Sequence, residues 1–321
     1  MIRINNFFSD EIIEKYANYT IRIIHDRYEK NKPTSPEVKK IFEDDGGNFD
    51  EEKLRNILIK EDEVIAAKRY GAAEKKEIKQ IMNYKDIIHS IDKLTDEERE
   101  TFGEFGIRHA LLVDLDVRVC PYCNRQYITY YYEDKNKRTT ADLDHFHPQS
   151  KYPLLSLSLY NFVPSCSLCN SSTMKGQLDK KIVYPYKEHF GENCFFKLVP
   201  KESGTRIDYQ RELDALLGKE NVEYKLVLEV KNSSMDDKIR NSIKIFKLDQ
   251  VYQSHAKYAQ ELRSRKRIYG GEDYLQLENK LKLGMRFTDK DIEFFMYGYD
   301  WADGEDINRP LSKLSYDIVK R

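Results

Sequence analysis

The chain has 321 residues, 40% of them hydrophobic, which is enough apolar material for two or three folded units. Its 54 Lys and Arg stand against 55 Asp and Glu, so a polyanion would have to be gripped by segregated charge or with a partner's help rather than by net charge. There is no run of about 18 apolar residues for a membrane-spanning helix, and Met1-Ile2-Arg3-Ile4-Asn5-Asn6 lacks the apolar core of a secretory leader, so the expected compartment is the cytoplasm.

Residues 1–115 read as a helical region. Ser9 can cap a helix in which Ile13, Tyr16, Ala17, Ile21, Ile24 and Tyr28 recur at three- and four-residue steps, and Lys32-Pro33 ends it. Amphipathic runs follow at 35–42, 51–70, 73–82 and 95–112, punctuated by Gly46-Gly47 and Gly71. Their lysine and glutamate faces read as solvated helix surfaces, with a docking platform for another protein as the functional alternative.

Residues 116–190 carry the distinctive patterns. Cys120 and Cys123 form one C-x2-C pair and Cys166 and Cys169 a second, and each spacing lets two thiolates turn onto one tetrahedral Zn2+. Disulfides or a redox C-x-x-C are the competing readings. The expected reducing compartment argues against the first, and the histidine-rich segment between the pairs is unlike a thioredoxin site. A four-thiolate zinc has no open position, so its role would be structural.

Strand signals lie between the knuckles. Residues 125–132 are rich in Tyr, Ile and Thr, 135–138 read as a charged turn, and 139–144 as the returning strand of a hairpin. Residues 167–175 would begin a following helix, with Gly176 as its stop. Asp144-His145 pairs a hard oxygen ligand for Mg2+ or Mn2+ with a base that titrates near neutrality, as activation of a water against a phosphodiester requires. Taken alone, an Asp-His dipeptide is more often a surface hydrogen-bonded pair. Within a regular strand the two would face opposite sides, so the strand must end there for both to reach one metal, and Pro148 is placed to force that end. Asn161 precedes the second knuckle. Asn170 follows Cys169 directly, so a zinc that fixes the cysteine also fixes the amide, and with Asp144 it would make a sparse, water-filled cation site.

The ordered set C-x2-C, D-H-x-x-P, N, C-x2-C-N resembles the HNH endonucleases, also called His-Me finger or ββα-metal nucleases, in their zinc-stapled form. The resemblance spans residues 119–176. It implies His145 as general base, Asp144 and Asn170 as ligands of a catalytic Mg2+ or Mn2+, and Asn161 as the asparagine that orients the histidine-bearing loop. The last position is Asn170 rather than histidine, a substitution common in the family. Arg125, His147 and Lys175 are candidate nucleic-acid contacts, in a window (118–187) with ten Lys and Arg against five Asp and Glu. Ordinary solvated lysines explain that window as well. More loosely, a helical region before the nuclease and a long region after it resemble the PtuB-type HNH proteins of bacterial anti-phage defence, which implies a companion ATPase.

Residues 191–321 read as an α+β region. Cys194 has no partner at zinc spacing and reads as a buried thiol. Strand-like alternation appears at 195–198, 205–209 and 222–230. Ser234 can cap a helix through Ile239, Ile243 and Phe246. Asp249 can cap the next, with Val251, Tyr252, His255, Tyr258, Ala259 and Leu262 on one stripe. That helix ends in the basic run Arg263-Ser264-Arg265-Lys266-Arg267 before Gly270-Gly271, and a tail (287–321) carries a helical run and an amphipathic piece at 311–319.

The expected fold is α+β and mainly helical, with a zinc-stapled ββα-metal core between a helical N-terminal region and an α+β C-terminal region. The expected function is metal-dependent hydrolysis of DNA phosphodiesters in anti-phage defence. The alternatives are action on RNA and a zinc-stapled nucleic-acid or protein adaptor without catalysis.

Overall fold

The computed structural model describes residues 1–65, 67–89, 91–103, 106–133, 136–201, 209–217, 219, 222–231, 234–269, 288–301 and 308–321. They form a predominantly helical α+β fold whose sheets have two strands each. Two compact units emerge: an N-terminal unit of 4–120 and 127–180, and a C-terminal unit of 181–321 that includes 1–3 and 121–126. Among the described residues no helix is long and apolar enough to cross a membrane.

In the N-terminal unit, α1 (Asp10–Lys30) starts where the Ser9 hydroxyl accepts the Ile12 N–H at 3.3 Å. It buries Tyr16, Ala17, Ile21, Ile24 and Tyr28, and leaves Ile13 only half-buried. After α2 (Pro36–Phe42), the run expected over 51–70 divides into α3 (Glu51–Ile59) and α4 (Glu61–Ile65), because Lys60 between them is extended. Then come α5 (Ala72–Ile81) and α6 (Tyr84–Ile88), the latter capped by Asn83 and not expected from periodicity. The run expected at 95–112 is likewise two helices, α7 (Asp96–Phe102) and α8 (Ile107–Leu115). Gly103 (φ 67°) and Gly106 (φ 80°) part them, in a left-handed conformation that does not continue a right-handed helix.

Strand pairing differs from the expected single hairpin. β1 (Tyr130–Glu133) pairs antiparallel with β2 (Asn136–Thr139), so the charged stretch 136–138 lies in a strand; 135 lies outside the described residues. Beyond Thr140, β3 (Ala141–His145) leaves that hairpin and pairs antiparallel with β4 (Phe162–Cys166), placing Asp144 opposite Val163 and His145 opposite Phe162. β4 is buried throughout, and its apolar pairing with Ala141 and Leu143 decides the register. Pro164 hides this strand in the sequence; a two-stranded sheet tolerates it because each strand is an edge. The helix expected over 167–175 is only α9 (Ser167–Asn170), since Ser171 is already extended.

Buried hydrogen bonds tie the helices to one another and to the 153–157 segment that connects the two strands. The Tyr16 hydroxyl donates to Leu157 O (2.6 Å), Tyr19 to Ile87 O (2.9 Å) and Ser156 to Met82 O (3.1 Å). Each satisfies a backbone carbonyl that would otherwise be orphaned in the core.

In the C-terminal unit, β5 (Cys194–Pro200) pairs with β6 (Tyr224–Val230), with α10 (Tyr209–Leu216) between them in sequence. Helices α11 (Asp236–Ile245), α12 (Leu248–Val251), α13 (Ala256–Tyr269), α14 (Asp289–Tyr297) and α15 (Ser312–Lys320) follow. Met235 takes the cap position expected for Ser234, and Asp249 sits inside the first turn of α12 rather than capping it. The expected strand at 205–209 falls on residues outside the described ones, except that Tyr209 opens α10; Gly270, Gly271 and Phe287 also lie outside. Asn124 joins its segment to this unit: its carbonyl accepts the Leu311 N–H (2.6 Å) and its Oδ1 the Lys313 N–H (3.0 Å).

Candidate functional site

The sulfurs of Cys120, Cys123, Cys166 and Cys169 lie within 4.8 Å of one another, all buried, and no disulfide joins any of the five cysteines. Tetrahedral Zn2+ with Zn–S bonds of about 2.3 Å needs sulfurs about 3.8 Å apart, so this quartet fits the ion after a small contraction. The first knuckle is closed by the Val119–Tyr127 bridge and by the Ile128 N–H donating to Arg118 O at 2.9 Å. The second begins where β4 ends, with Cys166 as the cap of α9. Four soft thiolates suit zinc and not a hard cation, and they fill its coordination sphere. Cys194 stands apart, its thiol pushed up to about 12 by burial.

His145 closes β3. Its Nε2 lies 3.0 Å from Ser156 O, and because a carbonyl only accepts, Nε2 carries the proton and Nδ1 keeps the lone pair. The ring packs edge-on against Tyr84 (4.7 Å between centroids) and Phe162 (5.2 Å). Burial pushes the imidazole down to about 4; the Ser156 carbonyl opposes the shift and the Lys175 ammonium adds to it. At neutral pH the ring is therefore an uncharged acceptor.

Asn161 holds the turn that follows. Its Oδ1 accepts the His147 N–H (2.8 Å), its Nδ2 donates to His147 O (3.1 Å) and Leu155 O (2.8 Å), and its own carbonyl accepts the Phe146 N–H (2.8 Å). One buried residue, through its side chain and its carbonyl, thus clamps residues 146–147 to the segment that also supplies the carbonyl on His145. This is a buried amide whose donors and acceptor are all used.

Asp144 and Asn170 take different partners. Asp144, 3% exposed, receives Lys175 Nζ on both oxygens, at 3.0 and 2.7 Å, and the same ammonium donates to His145 O at 2.6 Å. Lys175 itself is 1% exposed. The Asn170 amide instead donates to Asp142 Oδ2 at 3.3 Å, and Arg108 donates to Ala141 O (3.1 Å) and lies 3.5 Å from Asp142 Oδ1. Strand periodicity explains the split: Asp142 and Asp144 share one face of β3, and His145 points to the other. Although the strand ends at His145, both residues are still within the ladder. A hard divalent cation needs open carboxylate oxygens. Asp144 has both of its oxygens on Lys175, so Asp144 and Asn170 as folded do not present a ready site for Mg2+ or Mn2+.

The nucleic-acid candidates are mostly engaged. Arg125 donates to His255 Nε2 (3.1 Å) and lies over the Tyr252 ring. The His147 ring packs edge-on against Phe146 and tilted against Tyr152, and burial holds its imidazole below the ordinary range. Lys175 is enclosed with Asp144. In the basic run of α13, Arg263 lies 4.8 Å over the Tyr224 ring and donates to Leu198 O.

Sequence reasoning missed Asp142, Arg108, Tyr84 and the carbonyl of Ser156. Asp142 carried a signal, since it sits two residues before Asp144 and period two puts both on one face. The others come from segments remote in sequence and carried none.

Among family models, curated proteins and solved structures, none matches this chain.

Proposed function

We propose that the chain is a zinc-stapled endonuclease of the HNH type that hydrolyses DNA phosphodiesters with His145 as general base. The observation that carries this reading is the His145 geometry: a neutral imidazole at the end of β3 with Nε2 committed to a carbonyl and Nδ1 left to accept, just ahead of a turn clamped by Asn161. The antiparallel pair β3–β4, followed by α9 and flanked by the cysteine quartet, is the local architecture such a site needs. In the reaction, Nδ1 takes a proton from water, the hydroxide attacks phosphorus, and the P–O3′ bond breaks as the 3′ oxygen takes a proton from solvent to leave as a hydroxyl. Positioned general bases contribute about 100- to 10,000-fold to rate. Asn161 holds the turn that follows the base, and the four cysteines would hold zinc, which supplies structural rigidity.

The test is cleavage of supercoiled plasmid, single-stranded DNA and RNA by the wild type and by His145→Ala, each with Mg2+, with Mn2+ and with a chelator. Loss of cutting in His145→Ala, with the fold and zinc content retained, is expected. Equal cutting by both proteins overturns the assignment. The defence role and its companion ATPase belong to the same proposal, and native pull-down followed by cleavage with and without ATP tests them.

A second reading, a zinc-stapled adaptor without catalysis, is favoured by one observation: Lys175 closes both oxygens of Asp144. It expects full zinc loading and no cleavage of any substrate, with the natural partner present.

A further inference from the structure

A cleft of about 800 Å³ opens in the N-terminal unit between the C-terminal half of α1 and helix α5. Six cationic side chains line it, Arg27, Lys30, Lys75, Lys76, Lys79 and Lys93, against a single carboxylate, Asp26. Two of the six are committed to the fold: Arg27 pairs with Asp86 at 3.0 Å, and Lys93 donates to Asp86 O at 3.1 Å. The side chains of the remaining four, Lys30, Lys75, Lys76 and Lys79, make no hydrogen bond or ion pair among the described residues.

Helix stabilisation accounts for two of them, Lys30 in the last turn of α1 and Lys79 in the last turn of α5, and not for the other two. Lys75 and Lys76 sit in the first half of α5, where the positive end of the helix dipole disfavours cations and adds to the local potential. Lys75 and Lys79 stand one turn apart, about 6 Å along the axis, on the face that meets the cleft. A concave, one-sign surface with low-dielectric walls concentrates counter-charge. The composition of the walls says which anion. Ile23 and Ala72 are the apolar liners, and no aromatic ring lines the cleft among the described residues, so there is no slot for a nucleobase or other flat ring. The surface suits a repeating chain of phosphates bound without base readout. Asn83 forms part of its wall, and the next residue in the chain, Tyr84, places its ring against His145.

We infer that this cleft binds the sugar–phosphate backbone of nucleic acid through Lys30, Lys75, Lys76 and Lys79. The inference deepens the nuclease reading by naming where the substrate's backbone lies, and it stands as a binding claim whether or not cleavage occurs. It also answers the near-neutral net charge, since the grip comes from charge gathered in one groove.

The experiment measures binding of a fluorescein-labelled 30-base-pair duplex by anisotropy, using full-length His145→Ala so that nothing is cut, across 0.05 to 0.3 M salt. It compares that protein with one also carrying Lys30→Gln, Lys75→Gln, Lys76→Gln and Lys79→Gln. A charge-matched control carries Lys197→Gln, Lys201→Gln, Lys225→Gln and Lys231→Gln, within or directly after β5 and β6. Circular dichroism and thermal melts establish that each is folded. Each phosphate that is no longer neutralised lowers the slope of log K against log salt by about 0.9, so the cleft variant should drop by about 3.6 in slope and bind more weakly at every salt concentration, while the control keeps the parent slope. An unchanged slope in the cleft variant, an equal drop in the control, or no binding by the parent overturns the inference. Plasmid cleavage by the same cleft substitutions in the His145 background separates the two readings: binding through the lysines with no cutting leaves the cleft and removes the nuclease, and cutting that ignores the lysines does the reverse.

Discussion

Replacing Lys175 by Met removes the ammonium and keeps the length and apolar stem of the side chain. Three hydrogen bonds go, two to Asp144 and one to His145 O, and the Asp144 carboxylate, 3% exposed, stays enclosed without its counter-charge. Breaking a buried ion pair from one side costs about 3–5 kcal/mol, because the uncompensated charge is left in a poorly solvating site. For a unit of this size, 1 kcal/mol moves Tm by about 2–4 °C, so Lys175→Met should lower the melting temperature of the N-terminal unit by about 6–20 °C. Replacing both partners tells a different story. Lys175→Met with Asp144→Leu leaves no unpaired charge, and such double replacements are often neutral or stabilising. The assay is chemical denaturation of the wild type, both single variants and the double, read as a double-mutant cycle. A coupling energy of about 2 kcal/mol or more is expected, with the double variant more stable than Lys175→Met alone. If Lys175→Met lies within about 1 kcal/mol of the wild type, or the double variant is the least stable of the four, the buried-pair reasoning is wrong.

Three further outcomes are expected. The purified protein should carry one zinc per chain by elemental analysis, and Cys120→Ser or Cys166→Ser should lose that zinc and destabilise the fold, since structural zinc sites supply folding free energy; a stable, metal-free wild type would contradict the quartet as a zinc site. Asn161→Ala removes three side-chain hydrogen bonds and strands the His147 N–H and two carbonyls, at about 2–4 kcal/mol by denaturation; a loss under about 0.5 kcal/mol would mean that the amide does not clamp the turn. His189 is held below its ordinary pKa by burial, and the Met1 ammonium, Arg3 and Lys313 that face it add to the shift, with Lys313 itself paired to Asp317. The unfolded chain therefore binds the extra proton first. Stability from this residue is complete above the ordinary imidazole pKa and falls as the pH drops through the lowered value. His189→Phe should flatten that part of the stability profile, and an unchanged profile counts against the assignment.

What the sequence revealed and what it withheld follow from the range of the interactions. A cysteine knuckle is an i, i+3 device, and the Ser9 cap is local too, so both could be read directly. Helix existence also follows from short-range periodicity, but the breaks at Lys60 and at Gly103 and Gly106 depend on backbone geometry that apolar spacing does not report. The pairing of β3 with β4 is long-range. A hairpin return is the economical local reading of residues 139–144, and it fails because the buried partner lies beyond a long loop and contains Pro164.

The same distinction governs the candidate site. The aspartate and histidine of the motif are neighbours in sequence, yet the strand sends them to opposite faces, where partners 31 and 11 residues away receive them. On one face the ammonium of Lys175 ties the Asp144 carboxylate to the carbonyl of His145; on the other the carbonyl of Ser156 fixes the imidazole. The end of β3 is therefore pinned from both sides of its backbone. Lys175 links the two faces electrostatically as well, because its charge adds to the burial that keeps His145 unprotonated. An ammonium with this double role pins the strand and helps keep the imidazole neutral at once, so under the proposed nuclease reading its enclosure with Asp144 would leave His145 able to take a proton even where that carboxylate takes no cation.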